Sequence, residues 1–165
     1  MKIRMSGEKK YAIEDGLGLR MSFYSCSCPH HCKGCHNPDT WDYRNGYDDT
    51  VEELYKKIIN NKHIEGVTFS GGEPFVQWKQ FYELAKLIKK NTNLNIWCYT
   101  GYVYEDLIKD DRKLLLEQCD VLVDGKFILE QKDLTLKWRG SKNQRIIDIK
   151  KSLEESLLIE RTDLY

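Results

Sequence analysis

The 165-residue chain reads as an α/β protein, a partial (incomplete) β/α barrel with parallel strands. Three observations carry that reading. Short apolar runs alternate with stretches of helical period, the pattern of strands joined by crossover helices. The glycines, cysteines and acidic residues that interrupt the pattern fall just after the apolar runs, where β/α folds keep their chemistry. A complete eightfold barrel usually needs about 250 residues, so this chain can form only part of one. No repeat, low-complexity segment or Pro/Gly/Ser-rich linker divides it, and one domain over residues 1–165 is expected.

The elements follow in order. Met21-Ser22-Phe23-Tyr24-Ser25 reads as a strand that ends at a cysteine cluster. Thr50-Val51-Glu52-Glu53 is a capping box, in which hydroxyl and carboxylate satisfy exposed backbone donors. It opens a helix with Val51, Leu54, Tyr55, Ile58 and Ile59 on one face. Gly66 to Ser70 is the next strand and runs into Gly71-Gly72. A helix follows, burying Trp78, Phe81, Tyr82, Ala85 and Ile88. Asn95 to Tyr99 is a strand ending at Thr100-Gly101, and Tyr104 to Gln118 is helical with a break near Asp110-Asp111. Val121-Leu122-Val123 is a short buried strand closed by Asp124-Gly125, and Arg145 to Ile149 a last strand before a polar tail. Trp41, Trp97, Cys98 and Cys119 are expected in the core, and His63 on the surface.

Lys plus Arg and Asp plus Glu both number 26, so no global field favours nucleic acid or an anionic membrane. The N-terminus is too polar for a signal peptide, and no apolar run is long enough to span a bilayer. A cytoplasmic protein is expected.

Four of the six cysteines, Cys26, Cys28, Cys32 and Cys35, lie close together. A disulfide-stapled secreted domain spreads its cysteines and carries an export signal, so a tight cluster reads as a metal site. Cys28-Pro29-His30-His31-Cys32-Lys33-Gly34-Cys35 lets three thiolates wrap one corner of a cubane and leaves the fourth iron without a protein ligand. Gly34 lets the backbone pass close by without a Cβ. The same spacing suits zinc, with His30, His31 or His36 as fourth ligand. The cysteines alone leave the two readings even.

Gly71-Gly72-Glu73-Pro74 tips the balance. Its glycines admit a ligand close to the backbone, its carboxylate suits an ammonium, and its proline stiffens the turn. After a strand, and about forty residues beyond the Cys-x3-Cys-x2-Cys loop, it makes the sequence resemble the radical S-adenosylmethionine superfamily. The resemblance narrows to the family that activates anaerobic (class III) ribonucleotide reductase. Asp15-Gly16-Leu17-Gly18-Leu19-Arg20 is similar to that family's Gly-Pro-Gly-x-Arg entry. Cys32 to Trp41, Val121 to Phe127 and Trp138 to Asp148 are similar to its cluster loop and late segments, so the match runs from Ile13 to Leu153. Leu17 replaces a proline, and Ser27 a glycine before the first ligand cysteine. Gly34 stands where many superfamily members have an aromatic, and Cys26 is extra, expected to pack in the strand.

The resemblance implies a radical S-adenosylmethionine fold and a [4Fe–4S] cluster held by Cys28, Cys32 and Cys35, the residues that would carry catalysis. S-adenosyl-L-methionine would lie against backbone at Gly34, Cys35 and His36 on its adenine side, and against Gly71, Gly72 and Glu73 at its methionine end. Asp124 and Lys126 are candidates for its ribose and carboxylate, with a turn aspartate and a solvated lysine as the plain readings. The implied product is a glycyl radical on the large subunit of anaerobic ribonucleotide reductase, with an electron donor such as flavodoxin. The Trp138 to Lys142 loop would cover the site or touch that partner, or simply lie solvated. The rivals are an activase of another glycyl-radical enzyme such as pyruvate formate-lyase, a small-molecule radical enzyme, and a non-enzymatic zinc-binding adaptor.

Overall fold

The computed structural model describes residues 1–165. Seven strands form one sheet: β1 (Lys2–Ala12), β2 (Arg20–Ser25), β3 (Tyr47–Thr50), β4 (Gly66–Gly71), β5 (Asn95–Tyr99), β6 (Val121–Asp124) and β7 (Arg145–Asp148). Their spatial order is β3-β1-β2-β4-β5-β6-β7. The central strands β2, β4, β5 and β6 pair in parallel, as the alternating pattern predicts. The helices are α1 (Val51–Ile59), α2 (Trp78–Asn91), α3 (Tyr104–Leu107), α4 (Lys113–Leu116) and α5 (Ile149–Glu155). The expected break near Asp110-Asp111 separates α3 from α4. Half of the capping box forms at α1: Thr50 Oγ1 accepts from Glu53 N, while the Glu53 carboxylate turns outward to Lys56.

The edges correct the sequence reading. β1 and β3 are antiparallel additions that the pattern did not announce. β7 returns antiparallel to β6. A parallel return needs a crossover of about a dozen residues or more, usually helical. Only a single 3-10 turn, Leu129–Gln131, lies between these two strands, so the chain doubles back instead. The expected polar tail contains α5, capped by Asp148, whose carboxylate accepts from Lys151 N.

Strand alternation gives the sheet two different faces. Met21, Phe23, Val67, Phe69, Ile96, Cys98, Leu122 and Ile147 meet the helices in a core cluster of 25 buried residues. Cys98 and Cys119 belong to this core, as expected, and His63 is exposed. The other face carries Arg20, Ser22, Tyr24, Thr68, Ser70, Trp97 and Tyr99, with a small apolar cluster of Trp97, Val121, Val123 and Ile146. No helix is long and apolar enough to cross a membrane.

Arg20 organises the base of this second face. It is fully buried, and burial pulls its pKa down to about 10, so it keeps its charge at neutral pH. Its guanidinium donates to Thr68 Oγ1 (2.7 Å), Leu17 O (2.9 Å), Asn95 Oδ1 (2.8 Å), Val67 O (2.8 Å) and Asn95 O (3.4 Å). Thr68 Oγ1 passes the order on by donating to Asp15 O, which fixes the segment leading into β2. Arg20→Leu leaves these buried acceptors unpaired and is expected to cost roughly 3 kcal/mol or more. The midpoint of urea unfolding measures it, and a loss below about 1 kcal/mol would contradict the account.

Candidate functional site

The site grows from the C-terminal ends of β2 and β4. These strands pair in register up to Ser25 opposite Gly71. The ladder continues into the loops: Gly72 N donates to Ser25 O (2.8 Å) and Glu73 N to Ser27 O (2.9 Å). Gly71 has φ +90°, and a Cβ there would come within 2.6 Å of the Tyr24 backbone. Glycine is what allows the two loops to lie this close. Beneath them Gln77, buried, accepts from Arg4 N and donates from Nε2 to Arg4 O, Ser25 Oγ and Cys26 O. Cys26 is buried and its sulfur faces Asp42 O at 3.2 Å, so it packs under the loop as expected.

Above these strand ends opens a cavity of about 1280 Å³. Cys28, Cys32 and Cys35 all line it, together with His36, Gly71 and Gly72. The three thiols are free and half-buried. Burial pushes the Cys28 thiol up to about 11, against the opposing pull of the His30 and His31 backbone N–H groups. Asn37 N donates to Cys35 Sγ at 3.4 Å. Burial thus holds Cys28 as the thiol, and binding a metal there would displace its proton. No three Cys, His, Asp or Glu side chains close round a single metal point. A cubane asks for no such shell, because each thiolate takes a different iron. Three unpaired thiols on one roomy cavity therefore fit a cluster.

The remaining expected residues fall into three groups. Gly34 (φ +77°) is held by the cluster loop's turn, and a Cβ there would meet Leu129 at 2.8 Å. His36 sits on the cavity wall with its ring 5.3 Å from that of Phe127, which also lines the cavity. Glu73 lies behind the wall: it is fully buried, and its carboxylate accepts from Phe75 N, Thr100 Oγ1, Gly101 N and His30. Asp124 and Lys126 do not line the cavity. Asp124 follows Leu122 on the helix-facing side of β6, where it accepts from Tyr104 N (2.8 Å) and from Arg145 Nε (2.9 Å). Lys126 is exposed.

Several wall residues went unassigned or misread in the sequence. Tyr24 donates to Asp15 Oδ2 at 2.8 Å, and both line the cavity beside Tyr99 and Thr100. Trp41, expected in the core, is a half-buried wall residue stacked on His31 at 4.7 Å. Trp138 covers the cavity from the far side. It holds φ +57°, packs edge-on to Trp97 (5.7 Å), and donates from Nε1 to Ile13 O. The Trp138 loop is thus part of the enclosure.

A family model described as a 4Fe-4S single cluster domain matches residues 14–147. Fold, thiols and match together define the class: an iron–sulfur protein with one cluster domain. A Haemophilus influenzae protein is 37% identical over 141 residues, covering 81% of this chain and 90% of its own length. A Vibrio cholerae protein is 38% identical over 151 residues (86% and 97%), and an Escherichia coli K12 protein 32% over 140 (80% and 90%). All three are named anaerobic ribonucleoside-triphosphate reductase-activating protein. The chain belongs to the anaerobic ribonucleoside-triphosphate reductase-activating protein family.

Ser27 carries a strain that glycine at the same backbone angles would avoid. It holds φ +87°, although its Cβ disfavours that region. Ser27→Gly is expected to stabilise the metal-free protein by about 1 kcal/mol in urea unfolding. A destabilised variant would contradict the strain argument.

Proposed function

We propose that this chain is a radical S-adenosylmethionine activase that generates a glycyl radical on the large subunit of anaerobic ribonucleotide reductase. The observation that carries the reading is the placement of three free thiols and the Gly71-Gly72 turn on one cavity, joined by a shared ladder of backbone hydrogen bonds. Family membership supports the partner, since the relatives' names give the reductase as their target.

Cys28, Cys32 and Cys35 would hold a [4Fe–4S] cluster and leave one iron open to the cofactor. When bound and reduced, by a donor such as flavodoxin, the cluster supplies the electron that cleaves S-adenosylmethionine to methionine and a 5′-deoxyadenosyl radical. The chain's own work is position and enclosure. Gly71 and Gly72 present bare backbone to the methionine end, with Glu73 fixed behind them. The wall at Cys35, His36 and Phe127, with the Gly34 turn beside it, borders the adenine. Tyr24, Tyr99, Trp97 and Trp138 line or back the far side and limit water near the radical. Asp124 is committed to Arg145 and Tyr104, and no cofactor contact is assigned to it or to Lys126.

The cavity exceeds the roughly 300–1,000 Å³ of an ordinary small-molecule pocket. That surplus suits a cofactor together with a segment of a partner chain. In this reading the sheet is a partial barrel whose missing side admits that segment, and the protein works in the cytoplasm.

The test uses anaerobically reconstituted protein reduced with dithionite, with 5′-deoxyadenosine followed by chromatography after adding S-adenosylmethionine. Wild type should form it, and Cys32→Ala should reduce it to background. One zinc per chain in the native protein, with no 5′-deoxyadenosine from the iron-loaded form, would overturn the reading.

A further inference from the structure

His30 lines the cavity between two of the cysteines, and its side chain makes a deeply enclosed polar contact between the cluster loop and the rest of the site. Its Nε2 lies 2.7 Å from Glu73 Oε2, with side-chain exposures of 6% and 0%. A carboxylate only accepts, so Nε2–H donates. The ring is edge-on to Tyr102 at 4.6 Å. It also fills the space above Gly101, where a Cβ would lie 2.4 Å from it. The imidazole is thus slotted between the loops that follow β4 and β5.

Glu73 in turn collects donors from each of those loops. Phe75 N (3.0 Å), Thr100 Oγ1 (2.9 Å), Gly101 N (2.8 Å) and His30 account for about all the lone-pair sites a carboxylate offers. With four donors in place, Glu73 has no free oxygen for an ammonium in the cavity. Its role here is to join three loops from behind the wall.

We propose that His30 is a positioning residue: its bond to Glu73 sets the distance between the cluster loop and the Gly71-Gly72 turn, and so aligns the irons with the methionine end of S-adenosylmethionine. The two backbone bonds of the β2–β4 ladder tie the loop to the Gly71-Gly72 turn only as far as Ser27, and Cys28 N bonds Trp41 O instead. His30 is the next anchor, placed between the ligands Cys28 and Cys32. This inference rests on the proposed reading of the site as one for a cluster and S-adenosylmethionine.

His30→Phe keeps the ring volume and removes the donor, while His30→Gln restores an N–H at similar reach. Each is reconstituted anaerobically and assayed for iron and sulfide. Binding of S-adenosylhomocysteine is measured by calorimetry, and the electron paramagnetic resonance signal of the reduced cluster is recorded with and without S-adenosylmethionine. Both variants should hold four irons. His30→Phe should bind the homologue at least about tenfold more weakly and lose the cofactor-induced change in the signal, as expected for an orphaned buried acceptor. His30→Gln should stay within about threefold of wild type. Wild-type binding and signal change in His30→Phe would overturn the proposal, as would equal loss in both variants. Loss of iron from both would also overturn it, by making His30 a requirement of cluster assembly. A wild-type cluster that does not respond to S-adenosylmethionine would instead sink the reading of the site itself.

Discussion

The parallel pairing of β2 with β4 runs past the ends of both strands, and the site depends on that continuation. Ordinary strand pairing stops where the chains diverge into loops. Here Gly72 N and Glu73 N go on donating to Ser25 O and Ser27 O, so two loops of different parentage leave the sheet as a single object. One carries the cysteines and the other the Gly-Gly-Glu-Pro turn. Close approach demands glycine on the β4 side, and it costs Ser27 a left-handed backbone on the other. A sheet with hydrogen bonds at this edge gives rigidity that a free loop would lack, which is what a precisely placed reaction needs.

The sheet's two faces divide the labour. One is an ordinary apolar core under five helices. The other keeps polar and aromatic groups around the cavity and closes its lower end with the caged guanidinium of Arg20. A short chain can leave so large a space open because that face is braced by hydrogen bonds rather than filled by side chains. Trp138 and Ile13 meet across the far side, joining the segment before β2 to the loop before β7.

The parts of the site that sequence reveals are the local ones. Cysteine spacing and the Gly-Gly-Glu-Pro turn are short-range patterns, and each strand before them shows as an apolar run. The edge strands are less legible: β1 buries only Ile3, Met5 and Ala12 among charged neighbours, so its periodicity is weak. Asp124 illustrates a different limit. Val121, Leu122 and Val123 are all apolar and all buried, so nothing in the run says which face the next residue takes. The strand's parity sends it toward α3, away from the cavity. The pairing of His30 with Glu73 spans 43 residues and rests on a slot made by a third loop, which only the folded chain displays. Trp41 looks like core by type, and becomes wall because a cavity lies where core would otherwise be.

The most direct measurement mixes the reduced, reconstituted chain with S-adenosylmethionine and the large subunit of anaerobic ribonucleotide reductase, and records the electron paramagnetic resonance spectrum. The account predicts a glycyl-radical signal on the reductase that requires both the cofactor and the three cysteines. An unchanged spectrum under conditions where 5′-deoxyadenosine is still released would contradict it, because the radical would then be made for a different acceptor.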